Sequence, residues 1–282
     1  MFLQNIISEI EKKDPEVFDR LDTRRSALRS FSGLGKKLAL TALPFAFGSM
    51  FKKAYAGTTG TNDVIDVLNF ALTLEYLEAE FYKNGLDSPG LIAPQLRPSF
   101  QKIYDHEAAH VEFLKGAITG AGGMPVPKPT FDFTAGNGSG NGPFAGVFSN
   151  PTLFLFVAQT FEDTGVRAYK GQAPNLLGTG DVLTAALNIH SVEARHAAHV
   201  RLISRLYSSG VGDVKPWITL NNSNIPSAAV QPSYNGEEVT TQAGINIVNI
   251  NGFPISAEQA SEAFDEFLTK EQVLAIVDPF IV

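Results

Sequence analysis

Two short stretches decide the fold: DHEAAH at residues 105–110 and SVEARH at residues 191–196. Each contains Glu-x-x-His, which on an α-helix places a carboxylate and an imidazole on the same face. One such motif is weak evidence, because polar pairs at this spacing are common on solvated helices. Two of them predict that Glu107, His110, Glu193 and His196 converge on one site.

Two further glutamates lie within apolar helical stripes, at Glu75 and Glu162. A carboxylate that faces a protein core unpaired costs several kcal/mol even after relaxation, so each needs a compensating positive charge. Glu78 lies near the same stripe and could replace or support Glu75. The apolar or small neighbours at helical spacing are Leu68, Ala71, Leu72, Ala79 and Tyr82 for the first stripe, and Leu155, Ala158, Gly165, Val166 and Tyr169 for the second.

The pattern repeats along the chain. Glu162 follows Glu75 by 87 residues, and the second Glu-x-x-His follows the first by 86. Two antiparallel halves related by a pseudo-twofold axis would bring four carboxylates and two imidazoles together. Four negative charges balance two divalent cations, so the sequence predicts a dinuclear metal site with six ligands. The proposed ligands are Glu75, Glu107, His110, Glu162, Glu193 and His196.

Apolar periodicity predicts an all-α protein built on four long helices. A long connection rich in Gly, Pro and Asn, residues 121–150, separates two short-linked helix pairs. This connectivity is typical of a four-helix bundle with one long crossover. The predicted helices run from Asp63 to Tyr82 with Gly85 as the stop, from Phe100 to about Thr119 after Ser99, from Pro151 to about Gln172 after an Asn150 cap, and from about Asp181 to Tyr207.

The chain divides into three predicted regions: 1–56, the bundle at 57–207, and a C-terminal extension at 208–282. The extension is rich in Asn, Ser, Gly and Val, and its one late helical pattern runs from about Ala257 to Ile276. We expect an irregular tail with short helices that packs on the bundle. It is also a candidate contact surface for a homo-oligomer.

The N-terminal region has the features of an export signal. Arg24 and Arg25 precede a 14-residue apolar stretch at 38–51, which is followed by Ala54-Tyr55-Ala56, a small-residue cleavage pattern. The stretch is shorter than the roughly 18 residues that span a bilayer, which favours a removable signal over a permanent membrane span. The paired arginines are similar to a twin-arginine signal, although Ala27 stands where that motif has Phe. We expect cleavage near Ala56 and a periplasmic or extracellular location.

Composition excludes several other classes of function. The chain has no cysteine, which rules out disulfides, iron-sulfur clusters, thiolate zinc sites and cysteine nucleophiles. A formal net charge of -7 and scattered basic residues argue against nucleic acid as a partner. Any metal must therefore be held by His and carboxylate ligands.

The Glu and Glu-x-x-His pattern resembles the ferritin-like superfamily of di-iron and di-manganese carboxylate bundles, which includes bacterioferritin and rubrerythrin. The resemblance covers about Asn62 to Tyr207, and the step from Glu75 to Tyr82 matches the first-helix pattern. Thr240–Gly244 and Phe264–Glu266 are similar to exported ferritin-like proteins related to desiccation-associated plant proteins. The chain lacks the rubredoxin module of rubrerythrin and a methionine placed to hold haem.

The resemblance implies a role for each ligand. Glu107 and Glu193 would bridge two Fe or Mn ions, while the other two glutamates and the two histidines would be terminal ligands. Tyr82 and Tyr169 would hydrogen-bond a ligand or pass an electron, although a core role for both tyrosines is equally compatible with the sequence.

Other polar residues near the motifs have open interpretations. His190 has apolar neighbours and could be an extra ligand, a hydrogen-bond partner of a ligand, or a core histidine. His199 is predicted to lie in the core. The acidic residues Glu80, Glu112 and Asp163 are expected to be exposed or to hydrogen-bond a ligand.

Three functions compete. The first is oxidation of Fe(II), or reduction or dismutation of peroxide or dioxygen, in stress protection. The second is a non-catalytic exported stress or desiccation-related scaffold with a structural or vestigial metal site. The third, mineral storage in a cage, ranks last because of the long crossover and the C-terminal extension.

Overall fold

The computed structural model describes residues 61–208 and 214–282. The proposed export signal, residues 1–56, lies outside the described residues. Four long helices form the bundle: α1 (Thr61–Asp87), α2 (Arg97–Gly120), α3 (Pro151–Gln172) and α4 (Asp181–Tyr207). The predicted all-α bundle with one long crossover is confirmed. Within the described residues, no helix is long and apolar enough to cross a membrane.

The start of α3 shows how the sequence sets a helix boundary. The side chain of Asn150 accepts hydrogen bonds from the backbone N–H groups of Thr152 and Leu153, and Pro151 occupies the first turn. The predicted bounds of α3 are correct, and so are those of α4. Helix α2 begins earlier than predicted, at Arg97, with Pro98 in its first turn.

Gly85 is not the stop of α1, because the helix continues to Asp87. A Cβ at Gly85 would overlap the ring of Phe154, which packs directly on the α1 backbone. The glycine is explained by this close approach of α3. The sequence suggested a terminator, whereas the structure shows a packing contact within the helix.

The crossover runs along the length of α1. Near the start of α1, the side chain of Asn69 donates to the carbonyl of Met124 and accepts from the N–H of Val126. Further along the helix, the ring of Phe133 packs on Phe81 at 5.7 Å between centroids. The chain thus returns to the end of the bundle from which α3 must start.

The core has two apolar clusters with the Glu-x-x-His motifs between them. Along α2, Phe100 and Ile103 belong to an aromatic-rich cluster that precedes Glu107, while Val111 and Leu114 belong to a second cluster. Helix α4 passes through the same two clusters in the opposite order, because it runs antiparallel to α2. The motifs therefore lie in the middle of the bundle, between the two apolar clusters.

The C-terminal extension packs on the bundle through buried arginines. Arg167 of α3, only 1% exposed, donates to the backbone carbonyls of Ser233, Asn235 and Glu266. Arg201 of α4 donates to the carbonyl of Lys215 at 2.9 Å. These bonds tie both helices of the second pair to the extension.

The single late helix predicted from Ala257 to Ile276 is wrong. The structure has two short helices there, α5 (Ala257–Glu262) and α6 (Lys270–Val277). Each has its own capping box, Ser256 with Gln259 and Thr269 with Gln272, so the second begins afresh. A two-stranded ribbon, β1 (Thr241–Gln242) and β2 (Ile245–Asn246), precedes them.

Candidate metal centre

The structure brings all six predicted ligand residues together. The four glutamates are fully buried, with 0% of each exposed, although they come from four different helices. They form two groups of possible ligands, and the ligand atoms within each group lie within 4.8 Å of one another. The first group is Glu75, Glu107, His110 and Glu193, and the second is Glu107, Glu162, Glu193 and His196.

The two groups share Glu107 and Glu193, and each shared carboxylate points one oxygen at each histidine. Oε2 of Glu107 lies 3.1 Å from Nδ1 of His110, while its Oε1 lies 2.7 Å from Nδ1 of His196. Oε1 of Glu193 is 3.1 Å from the first imidazole, and its Oε2 is 3.7 Å from the second. This arrangement is compatible with two carboxylates shared by a pair of cations.

Several of these atoms are buried without a hydrogen bond. Among the described residues, the orphaned atoms include Oε1 of Glu107, Oε2 of Glu162, both oxygens of Glu193 and Nδ1 of His196. Oε1 of Glu107 and Nδ1 of His196 contact each other at 2.7 Å, and Oε1 of Glu193 lies 3.1 Å from Nδ1 of His110, so these atoms have a charged neighbour but no well-directed hydrogen bond. Oε2 of Glu162 and Oε2 of Glu193 are 3.6 and 3.7 Å from the nearest imidazole nitrogen, beyond hydrogen-bond distance. A buried polar atom without a partner costs about 1–3 kcal/mol or more. Five of the ten such atoms in the described residues belong to this one predicted ligand set, and this concentration fits a metal pair.

The pKa shifts show how far the cluster is from electrical balance without metal. Burial alone would lower the pKa of His110, but contacts with the carboxylates raise it to about 12. The pKa of Glu107 is raised, first by burial and then by the charge of Glu193. For Glu193, burial is outweighed by the two histidines, which lower its pKa to about 2. Protons and imidazolium charges thus take the role that cations would have.

Tyr82 and Tyr169 contact the two glutamates that are not shared. The hydroxyl of Tyr82 donates to Oε1 of Glu162 at 2.5 Å, and that of Tyr169 donates to Oε1 of Glu75. Each bond crosses from one helix pair to the other, in agreement with the pseudo-twofold repeat. Burial, followed by the neighbouring carboxylate charge, raises the pKa of both phenols, so both remain protonated donors.

Glu78 is a fifth carboxylate at the edge of the cluster. It is 3% exposed, and its pKa is raised by burial and then by the charges of Glu193 and Glu162. It belongs to neither ligand group, so it does not replace Glu75. A Cβ at Gly165 would lie 3.1 Å from Oε1 of Glu78, so the glycine on α3 leaves room for this side chain.

The structure also places the remaining histidines. His190 belongs to neither ligand group, and its Nδ1 is buried without a hydrogen bond. His199 is exposed, so the prediction of a core position is wrong. It lines a surface pocket of about 370 Å³ near His196, and helical spacing alone did not reveal this opening.

His106 has a contact that the sequence did not reveal. Its Nδ1 lies 2.9 Å from Nε2 of His196, and the two rings are nearly parallel at 5.2 Å between centroids. The sequence placed His106 next to Glu107 but gave no reason to pair it with a residue 90 positions away.

The three acidic residues with open interpretations have different outcomes. Glu80 pairs with Lys128, and Glu112 is exposed and pairs with Lys115. Asp163 is buried and accepts from Arg201 at 2.6 Å and from Tyr234 at 2.8 Å. Its partners are these two residues.

A four-helix bundle with one crossover and a buried cluster of this composition defines a carboxylate-bridged dinuclear metal protein as the class to test. The sequence matches the family model for a ferritin-like domain over residues 63–205, about half of the chain. The chain therefore belongs to the ferritin-like domain family. A comparison with curated proteins found no match.

Proposed function

We propose that this protein holds two iron or manganese ions per chain and uses them in stress protection, by oxidising Fe(II) or by reducing or dismutating peroxide or dioxygen. The observation that carries the proposal is the convergence of four fully buried carboxylates and two imidazoles in two overlapping groups of possible ligands. Mixed carboxylate and imidazole ligation suits cations that change oxidation state. When bound, such a pair supplies electrons to dioxygen or peroxide, or accepts them.

The residues of this chain have distinct parts in the proposal. Glu107 and Glu193 would hold both ions, since each has one oxygen near either imidazole. The hydroxyl of Tyr82 holds Glu162 by its Oε1, which leaves the orphaned Oε2 to act as a ligand. Tyr169 holds Glu75 in the same way on the other side. Burial of these groups excludes water, which strengthens each electrostatic interaction in the site.

Metal content and turnover test the proposal together. Protein purified from its native compartment should contain two Fe or Mn ions per chain, and it should oxidise Fe(II) or consume peroxide. Glu107→Gln should lose both ions, whereas Glu112→Gln, an exposed glutamate on the same helix, should keep them. A wild-type protein that is folded but binds no metal would refute the site. A dinuclear but inert protein would favour the non-catalytic stress scaffold.

We also propose export through the twin-arginine route, with the mature chain beginning near Gly57. The support is the sequence alone, since Arg24 and Arg25 precede a short apolar stretch and a small-residue cleavage pattern. Mass spectrometry of the native protein should find a terminus near residue 57 outside the cytoplasm. Arg24→Lys combined with Arg25→Lys should retain the full-length precursor inside. Secretion of that double variant at the wild-type level would exclude the twin-arginine route.

A further inference from the structure

The two metal positions of the proposed centre are not equivalent. We name position 1 by His110 and position 2 by His196, since Glu107 and Glu193 are common to both. Position 1 adds Glu75, and position 2 adds Glu162. The sequence repeat makes the two ligand sets chemically identical, so any difference between them must come from the residues that surround the ligands.

The imidazole of His196 has a contact with a second imidazole, that of His106. A neutral imidazole carries one proton, so a His196 that ligates through Nδ1 must carry its proton on Nε2. That Nε2 lies 2.9 Å from Nδ1 of His106, so with this tautomer of His196 the Nε2–H would donate to Nδ1 of His106. Nδ1 of His196 then faces Oε1 of Glu107 at 2.7 Å, on the opposite edge of the ring. His106 thus fixes both the tautomer and the orientation of the ligand.

The repeat does not give His110 the same support. The residue 86 positions after His106 is Val192, whose side chain has no hydrogen-bonding atom. The pseudo-twofold relation therefore fails at His106, as it also does at Glu78, whose equivalent 87 positions later is Gly165. His106 is half-buried and lines the same 370 Å³ surface pocket as His199. The hydrogen-bond partner of the position 2 imidazole therefore lies between that imidazole and the solvent.

We propose that His106 is a positioning residue that strengthens metal binding at position 2 and makes the two positions unequal. This inference rests on the proposed function. Hydrogen-bond partners of ligating histidines typically contribute 10- to 100-fold to metal affinity, because they fix the tautomer and raise the basicity of the ligand. Loss of His106 should weaken position 2 by about that factor and leave position 1 close to its wild-type affinity.

The test is an anaerobic titration with Mn(II), in which the EPR signal of unbound Mn(II) reports free metal. Wild type should bind two ions per chain. His106→Ala should shift one of the two binding steps by about 10- to 100-fold. His106→Asn should restore much of the loss, since its Oδ1 can accept where Nδ1 did. His199→Ala is the matched control, because it removes an imidazole that lines the same pocket, and it should bind like wild type.

The outcomes separate this inference from the function on which it rests. If wild type binds fewer than two ions, the dinuclear centre itself is refuted. If wild type binds two and His106→Ala leaves both steps unchanged, or weakens both equally, the positioning role is refuted. If His106→Ala unfolds, as detected by circular dichroism of the metal-free protein, His106→Leu takes its place, because leucine fills the space of the ring without a hydrogen-bond acceptor, and it should show the same loss at one binding step. Equal loss in His199→Ala would assign the effect to the pocket and would also overturn the proposal.

Discussion

Glu107 and Glu193 are equivalent in the metal-loaded protein but opposite in the metal-free one, and replacing each by Gln should reveal this. Both are shared by the two ligand groups, so either substitution removes one ligand from each position. Without metal, however, Glu193 has a lowered pKa and Glu107 a raised one. The first is stabilised as an anion by two imidazolium groups, and the second is destabilised by burial.

The expected changes in the free energy of unfolding follow from these pKa shifts. The pKa of Glu193 falls from 4.5 to about 2 on folding, so its stabilising contribution is complete above pH 4.5 and is lost as the pH falls through about 2. At 1.36 kcal/mol per pKa unit, Glu193→Gln should cost the metal-free protein about 3 kcal/mol at pH 7. Glu107→Gln removes an anion that burial disfavours, so metal-free stability should stay the same or rise.

Metal affinity should fall in both variants. Removing one partner of a buried charge cluster costs roughly 3–5 kcal/mol, which corresponds to about 200- to 5,000-fold in affinity. Elemental analysis after dialysis gives the metal content, and urea unfolding in EDTA gives the metal-free stability. Glu112→Gln is the control for a change of net charge on α2. The reasoning is refuted if Glu193→Gln is as stable as wild type without metal, or if either variant keeps one position at full affinity.

Three other changes have defined outcomes. Because the folded-state pKa of His110 is about 12, the folded protein keeps a proton that the unfolded chain loses near pH 6.5. The stability that this proton contributes to the metal-free protein is complete below pH 6.5 and declines above it. The increase in melting temperature on adding metal should therefore be larger at pH 8.5 than at pH 6. Tyr82→Phe and Tyr169→Phe should each keep two metal ions but lose about 1.5–3 kcal/mol of stability, measured by urea unfolding. Loss of turnover in a variant that keeps both ions would assign that phenol to catalysis. Arg167→Met leaves the carboxylate of Glu237 buried without the guanidinium that lies 2.8 Å away in the wild type, so the C-terminal extension should become sensitive to limited proteolysis. A wild-type digestion pattern would contradict the role of Arg167 in holding the extension.

The sequence predicted the bundle well because its helix boundaries depend on local signals. Asn150 and Pro151 define the start of α3 without reference to anything distant. Gly85 shows the limit of such signals, because a glycine that ends a helix and one that admits a neighbouring ring look alike. Only the position of Phe154, 69 residues later, distinguishes them.

The ligand set could be predicted for a different reason: it repeats, and burial of its carboxylates is costly enough to demand an explanation. The contacts around the ligands could not. The pairing of His106 with His196, and of Asp163 with Arg201, joins residues 90 and 38 positions apart. The exposure of His199 likewise depends on what covers α4, which helical spacing does not report.

A second buried charge cluster shows that the metal site is unusual for this chain. Where the C-terminal extension meets the bundle, Asp163 pairs with Arg201 and Glu237 pairs with Arg167, so two anions face two cations. Most of the polar atoms there have hydrogen bonds, Nη2 of Arg201 being an exception.

The candidate metal centre has no such balance. Four glutamates and the neighbouring Glu78 face two imidazoles, and five ligand atoms have no hydrogen bond. The same chain therefore neutralises buried charge with its own residues where the purpose is structural. Between α1, α2, α3 and α4, the four ligand carboxylates with neutral imidazoles carry four negative charges, which two divalent cations would balance. If the charges of the candidate metal centre were balanced within the protein, as they are in the second cluster, the metal-free protein should be as stable at pH 8.5 as at pH 6. The raised pKa values of His110 and Glu107 predict lower stability at pH 8.5.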